Sequence, residues 1–359
     1  MRRALALASV RKGLTHPNPT VGCVIVKDGK VVGEGFHRKA GEPHAEVVAL
    51  RRAGENAKGA TVFVTLEPCA HYGRTPPCSL ALIRAGVKRV VVATLDPNPK
   101  VAGRGIEALR RAGIEVEVGL LDEEARRLNE DFFWWITRRR PFVVLKVAQT
   151  LDGFVALPSG ESKWITSERS RRLVHRMRCE SDAVLVGVST VLRDDPLLTV
   201  RSVPCEKKPL RVVLDAALRT PLGAKVADPS LGPTLIFTAE GMEKGEKADL
   251  LRKKGVQVVP VPRDEENPSH LSLEAVLDHL GKEREVVRLL VEGGPTVFGS
   301  FLKKGLFNRL SVFVAPKIFG TGLSPFGGPK ASTPEGAVKL RPEEVRKVGE
   351  DLLLEFVRS

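Results

Sequence analysis

The chain has 359 residues, a formal net charge of +14 and 42% hydrophobic residues. That length holds two domains of ordinary size, and the hydrophobic content excludes a disordered or fibrous chain. Five cysteines in so long a chain make no disulfide framework; they fit a reducing compartment, where a clustered pair more often binds metal.

No apolar run nears the ~20 residues of a membrane span. The start, MRRALALASVRKG, has its apolar stretch broken at Arg11 and Lys12 and reads as an amphipathic helix rather than a signal peptide. A cytoplasmic protein with no membrane partner is expected. The positive charge admits nucleic acid as a partner. Yet the basic residues are scattered among acids, only Arg138-Arg139-Arg140 is a tight run, and a single tyrosine offers no stacking platform for single strands. A phosphorylated small substrate and a phosphorylated cofactor account for the charge equally well. Scarce Asn and Gln with abundant charge point to a heat-adapted source, an expectation that a melting temperature in the mesophile range overturns.

Residues 1–13 read as a helix, followed by the loop THPNPTVG. Val21–Val26 and Val31–Phe36 read as strands joined by hairpin chemistry at Lys27-Asp28-Gly29-Lys30. A helix opened by Pro43 runs over 44–53, a strand over 60–66 and a helix over 78–85. A strand over 87–93, a helix over 105–112 and a strand over 114–118 follow. This order gives one mixed sheet between helices. The segment 122–140 reads as helical, with the aromatic run Phe132-Phe133-Trp134-Trp135. It marks the junction to a second domain and offers a domain or subunit contact; a homo-oligomer is expected. From Phe142 strand and helix signals alternate to the end, with surface loops at 228–233 and 262–270.

The chemistry concentrates at Pro43-His44-Ala45-Glu46, Pro68-Cys69 and Cys78. A histidine, a glutamate two residues on and two downstream cysteines are the parts of a zinc hydrolytic deaminase. A catalytic zinc takes three protein ligands, here His44, Cys69 and Cys78, and lowers the pKa of a bound water. Glu46 is then placed to take that water's proton and hand it to the departing amine. A thiolate at Cys78 is favoured by the start of a helix. The plain alternative makes His44 and Glu46 surface polar residues and the cysteines buried hydrophobes, but it leaves the combination unexplained. His37 and His71 are competing ligands, and Cys23 reads as core. Deaminases of nucleic acids and of free cytidine close the cysteine pair as P-C-x-x-C. Here the loop PCAHYGRTPPC is longer and offers His71, Tyr72, Gly73, Arg74 and Thr75, with Arg74 able to meet a phosphate. That departure argues against a nucleic-acid substrate.

THPNPTVGCVIV, GEPHAE, TLEPCAHYGRTPPC and DPNPKVAGRG resemble the deaminase half of the bifunctional riboflavin-biosynthesis deaminase/reductase family. The resemblance implies a cytidine-deaminase-like three-layer αβα domain over residues 1–141. It also implies zinc-dependent hydrolysis of the 2-amino group of a 2,5-diamino-6-(5-phosphoribosylamino)pyrimidin-4-one, with Asn18 on the pyrimidine. Otherwise Asn18 is a turn residue between two prolines.

Residues 142–359 lack the G-x-G-x-x-G dinucleotide fingerprint. A strand over 287–292 runs into Gly293-Gly294-Pro295-Thr296 and a helix, which favours phosphate or is simply a tight turn. KVAQTLDGFVA, SGESKWIT and VGVSTVLRDDPLLTVR resemble the reductase half of the same family. A dihydrofolate-reductase-like fold and NADPH-dependent reduction of the ribosyl group to ribityl are thereby implied. Ala148, Trp164, Thr190, Asp194 and the segment Gly294, Pro295, Thr296, Val297, Phe298, Gly299, Ser300 are implied as cofactor contacts. Ser162, Arg178, Leu198, Arg201 and Glu292 are implied for the substrate. Arg178 and Arg201 have the chemistry to clamp a phosphate, or are solvated surface arginines. Lys146 is a candidate for assisting opening of the ribose ring. Residues 202–285 receive no chemistry.

Overall fold

The computed structural model describes residues 1–70, 76–98, 101–327 and 331–358. The chain forms two compact units, Met1–Arg139 and Arg140–Ser359. Among the described residues no helix is long and apolar enough to cross a membrane.

Unit 1 contains α1 (Arg2–Ser9), β1 (Gly22–Lys27), β2 (Lys30–Phe36), α2 (Ala45–Ala53), β3 (Thr61–Val64), α3 (Cys78–Arg84), β4 (Arg89–Val92), α4 (Arg104–Arg111), β5 (Glu115–Val118), α5 (Asp122–Leu128) and α6 (Glu130–Arg138). The sheet order is β2-β1-β3-β4-β5. Strand β1 pairs antiparallel with β2 and β3, whereas β3, β4 and β5 are parallel. The hairpin turns through Asp28 and Gly29, both at positive φ, as an Asp-Gly pair allows. Two close approaches fix the layers. A Cβ on Gly22 would lie 2.0 Å from Ala4 O, and one on Gly35 would lie 2.5 Å from Ala45 O. Gly22 and Gly35 point to opposite faces of the pleat, so α1 and α2 cover opposite sides of the sheet. Cys23, Ile25, Ala45, Ala49, Val62, Leu82 and Leu109 form the core on the α2 side.

The helix expected over 1–13 ends at Ser9. The segment expected to be one helix over 122–140 is two, broken at Asn129 (φ −111, ψ 21). Asn129 leaves the helical path because its side chain is bonded elsewhere: it donates to Thr20 O at 2.9 Å and accepts from Thr20 N at 2.7 Å. Phe132 and Trp135 of the aromatic run are buried. The guanidinium groups of Arg138 and Arg139 stack over Trp134 and Trp135, 4.0 and 4.7 Å from the ring centres.

Unit 2 contains β6 (Phe142–Thr150), α7 (Glu168–Glu180), β7 (Ala183–Gly187), α8 (Val188–Asp194), β8 (Leu210–Leu214), β9 (Thr234–Ala239), α9 (Glu246–Lys253), β10 (Gln257–Val261), α10 (Leu273–Lys282), β11 (Arg288–Val291), α11 (Pro295–Lys304), β12 (Arg309–Ala315), β13 (Leu340–Val348) and β14 (Asp351–Arg358). The sheet order is β10-β9-β8-β7-β11-β6-β12-β14-β13. Seven strands are parallel, and β13 and β14 close one side as an antiparallel pair. Every residue of β7, β9, β11 and β12 is buried, as parallel strands covered on both faces require. Asp182, just before β7, accepts from the backbone of Val287 and Arg288 at 3.0 Å, which sets β7 beside β11.

Candidate active sites

In unit 1 the site is built from two helix starts and one strand end. His44 caps α2 with extended backbone (φ −70, ψ 163), so the helix expected over 44–53 starts one residue later, and Glu46 sits in its first turn, 3% exposed. Cys69 follows β3, and Cys78 opens α3. Potential ligand atoms of His44, Cys69 and Cys78 lie within 4.8 Å of one another. His44 Nδ1 is 3.2 Å from Cys78 Sγ and 3.7 Å from Cys69 Sγ. A tetrahedral zinc spaces its nitrogen and sulfur ligands about 3.6 Å apart, so the donor set fits that ion. The first N–H of α3, on Cys78, donates to Cys69 Sγ at 3.3 Å. The first N–H of α3 thus favours a thiolate at Cys69. The side-chain hydrogen bond with the Cys78 thiol pushes Cys69 down to about 4, with His44 and the Cys78 backbone N–H adding to it. Cys78, its partner, goes up through the same bond and through burial. Burial pushes the Glu46 carboxyl up to about 7, and the Cys69 charge adds to the rise.

The Glu-Pro-Cys segment is seated by groups that sequence reasoning left without a role. Glu67, buried, accepts from Gly103 N and Gly105 N at 3.0 Å. A Cβ on Gly105 would lie 1.9 Å from Pro68 O, so α4 starts directly against the residue before Cys69. Burial raises the nearby Asp96 to about 6, and Glu67 adds to it. Asn18 stands on the loop between α1 and β1, its Nδ2 3.1 Å from His37 Nε2. His37, a competing ligand from sequence, stands edge-on to His44 with ring centres 5.2 Å apart and is outside the three-residue ligand group. Cys23 is buried in β1, as expected. His71, Tyr72, Gly73, Arg74 and Thr75 lie outside the described residues.

In unit 2 a cavity of about 1440 Å³ opens at the C-terminal ends of β6, β7, β8 and β11, the edge where ligands of parallel sheets bind. Its lining includes Ala148, Ser162, Trp164, Arg178, Thr190, Asp194, Leu198, Arg201, Glu292, Gly294, Pro295, Thr296, Val297, Phe298 and Ser300. Gly299 is buried on α11 and is not part of the lining. Gly294, at φ 66, caps α11, and Pro295 follows as its first residue. A Cβ on Gly187 would meet Val297 at 2.8 Å, and one on Gly293 would meet Val186 at 2.7 Å. These glycines let the start of α11 sit against the end of β7, with its free N–H groups at the cavity.

Polar groups meet at one end of this cavity. Arg178 donates to Glu292 at 2.9 Å and to Thr199 O at 2.9 Å. Burial alone would raise Glu292, but Arg178, with Lys146 behind it, brings it down to about 2. Desolvation lowers the Lys146 ammonium and takes His175 down to about 4, where Arg178 and Arg201 add to the shift. Both arginines expected at the phosphate line the cavity; Arg178 is paired with Glu292, whereas Arg201 is exposed. Leu198 is buried at φ 52, a conformation costly enough for a non-glycine residue to suggest a functional constraint. The Arg171 guanidinium lies over the Trp164 ring at 4.6 Å.

The stretch 202–285, given no chemistry from sequence, supplies Leu214, Ala216, Ala217, Arg219, Lys225, Arg263, Ser269 and His270 to the lining. The loop 262–270, read as plain surface, therefore borders the cavity. Cys179 and Cys205 are joined by a disulfide, with Cα atoms 5.9 Å apart. That spacing suits a bridge, while Cys23, Cys69 and Cys78 are free thiols.

Residues 1–94 match the cytidine and deoxycytidylate deaminase zinc-binding region, and residues 141–354 match the RibD C-terminal domain. The riboflavin biosynthesis protein RibD of Aquifex aeolicus is 56% identical over 358 residues, covering 100% of this chain and 97% of that protein. The chain belongs to the RibD family. These are bifunctional deaminase/reductase enzymes of riboflavin biosynthesis, and His44, Cys69 and Cys78 are the zinc-binding deaminase site. RibD of Escherichia coli is 45% identical over 373 residues, covering 99% of this chain and 98% of that one. Among solved structures, Acinetobacter baumannii RibD superposes with a TM-score of 0.88 at 41% identity, covering 100% of this chain and 97% of that one. A Thermotoga maritima diaminohydroxyphosphoribosylaminopyrimidine deaminase/5-amino-6-(5-phosphoribosylamino)uracil reductase superposes at 0.87 with 40% identity and the same coverage. The reductase domain implies a nicotinamide cofactor.

Proposed function

We propose that unit 1 hydrolyses the 2-amino group of 2,5-diamino-6-(5-phosphoribosylamino)pyrimidin-4(3H)-one and that unit 2 then reduces the ribosyl group of the product to ribityl with NADPH. The observation that carries this reading is the buried Glu46 beside a three-donor zinc set, in one chain with a cavity lined by the Lys146, Arg178 and Glu292 group. The likeness to the Thermotoga maritima enzyme supports the choice of substrate.

Zinc held by His44, Cys69 and Cys78 supplies an activated water when bound. Glu46, lifted toward neutrality, takes a proton from the attacking water and delivers it to the amino group, which leaves as ammonia. Asn18 meets the pyrimidine edge. In unit 2 the start of α11, with Ala148, Trp164, Thr190, Asp194 and the segment Gly294–Ser300, holds the cofactor, and its free N–H groups suit a phosphate. When bound there, NADPH would supply a hydride for C1′ of the sugar. Lys146, with its ammonium made more acidic by desolvation, gives a proton to the ribose ring oxygen as the ring opens. Ser162, Leu198 and Glu292 line the sugar end, and Arg201 reaches the 5-phosphate with the Arg178 charge behind it.

The test supplies the diaminopyrimidine phosphate to the zinc-loaded chain with and without NADPH. Ammonia release is expected in both cases, and loss of nicotinamide absorbance only after deamination. Ammonia without any NADPH oxidation would end the reading of unit 2, and oxidation without ammonia that of unit 1.

A further inference from the structure

We infer that His37 is a positioning residue that fixes the polarity of the Asn18 amide, so that the deaminase pocket meets its pyrimidine with a hydrogen-bond acceptor. The inference rests on the reading of Asn18 as a pyrimidine contact and adds the direction of that contact.

His37 is 2% exposed, just after β2. Its Nδ1 lies 3.3 Å from Pro43 O. A carbonyl oxygen only accepts, so Nδ1 must carry the proton, and in the neutral ring Nε2 is then a bare lone pair. That lone pair faces Asn18 Nδ2 at 3.1 Å. The two ends of an asparagine amide have nearly the same shape, so its partner decides which end points where. Here the partner accepts, so the NH₂ end is drawn to His37 and Oδ1 is turned away from it.

The Asn18 backbone is fixed separately. Its N–H donates to Thr15 O at 3.0 Å, and its carbonyl accepts from Thr15 Oγ1 at 3.0 Å. What remains open is the half-turn of the side-chain amide, which His37 closes. Asn18 Oδ1 has no partner among the described residues. The acceptor it offers suits a ring edge that carries an N–H, as an aminopyrimidinone does, and opposes an edge that carries only lone pairs. Pro43 directly precedes His44, so the segment that seats a zinc ligand also sets the recognising amide. Both His37 nitrogens are engaged in this relay, which accounts for a second histidine beside the site that is not a ligand.

His37→Met and His37→Gln separate the claim from mere packing, because the two side chains are close in length and differ in the amide. Gln can donate to Pro43 O and offer its own oxygen to Asn18 Nδ2; Met can do neither. His37→Met is expected to raise the deaminase KM roughly tenfold, the worth of one ordinary hydrogen bond, with zinc content and reductase turnover unchanged. His37→Gln is expected to recover most of that loss. Equal KM values for the two variants overturn the inference. Asn18→Leu is measured beside them. A normal KM there ends the pyrimidine reading and this inference with it. A raised KM in Asn18→Leu with a normal one in His37→Met ends the inference alone. Nitrogen-15 NMR of the ring-labelled, zinc-loaded wild-type chain gives a check free of any variant. Protonated Nδ1 and bare Nε2 on His37 are expected, and a proton on Nε2 overturns the claim.

Discussion

In unit 1, His44, Glu46, Cys69 and Cys78 come from two helix starts and a strand end close together in the chain, and their reactive atoms point at one another. In unit 2, Lys146, Arg178 and Glu292 come from widely separated elements: Glu292 follows β11 beside Lys146 in the parallel β6–β11 register, and Arg178 reaches Glu292 from α7. The first site is small and organised by short motifs. The second is a large cavity organised by topology, with one ion pair holding its polar end. Damage should therefore stay local in unit 1 and spread through the surrounding packing in unit 2.

The sharpest way to break this contrast is Glu46→Gln. Deamination is expected to fall ~10²–10⁴-fold, while reduction of the already deaminated substrate and the zinc content stay unchanged. An ammonia assay paired with NADPH oxidation reads both, and near-normal ammonia release would remove Glu46 from the mechanism.

Glu292→Gln comes next. It leaves the Arg178 charge without its partner, so reductase activity should fall ~10–100-fold and unit 2 should lose about 3 kcal/mol in urea unfolding. The pH dependence has a definite sign. The Glu292 carboxyl is lowered from 4.5 to about 2. Its stabilisation is complete above its unfolded value and is lost as pH falls through about 2. Wild-type unit 2 should therefore weaken between about pH 5 and 2, and the variant should weaken less; parallel curves would sink the assignment. Lys146→Ala, which leaves the ion pair in place, should lower turnover with little change in stability, and full reductase turnover would discard the proposed proton transfer.

Asn129→Ala should have the smallest effect. It removes two hydrogen bonds to Thr20, worth about 1–3 kcal/mol together, and loosens the loop that carries Asn18. A rise of a few-fold in deaminase KM with kcat nearly kept is expected, and a fall in kcat alone would show that the loop is held by other groups.

The same contrast explains what could be read from the sequence. The zinc donors and Glu46 were legible because a catalytic metal needs fixed residue types at short spacings. Glu67 and Gly105 were visible only as letters within motifs. Their work, accepting backbone N–H groups and letting α4 approach Pro68, appears once the two segments are side by side. In unit 2 the residues named by resemblance do line the cavity, Gly299 aside. The contributions of Ala216, Arg219 and His270 carried no local signal. A usable clue was structural logic: in a parallel sheet each segment that follows a strand ends up at the same edge, and LDAALRT follows β8. The break at Asn129 was hidden because its cause lies in Thr20, far away in sequence.

The Cys179–Cys205 bridge, with its 26-residue separation, has a consequence for how this molecule comes apart. It closes a covalent ring that contains Thr190, Asp194, Leu198 and Arg201, with Arg178 at its border. A loop of that length, once tied, limits the unfolded chain by about 3–4 kcal/mol. A protease cut within the ring leaves both fragments attached until a reductant is added. Two of the residues read as cofactor contacts and two of those read as substrate contacts thus lie within one tether, and cutting the bridge releases those four together in the unfolded chain.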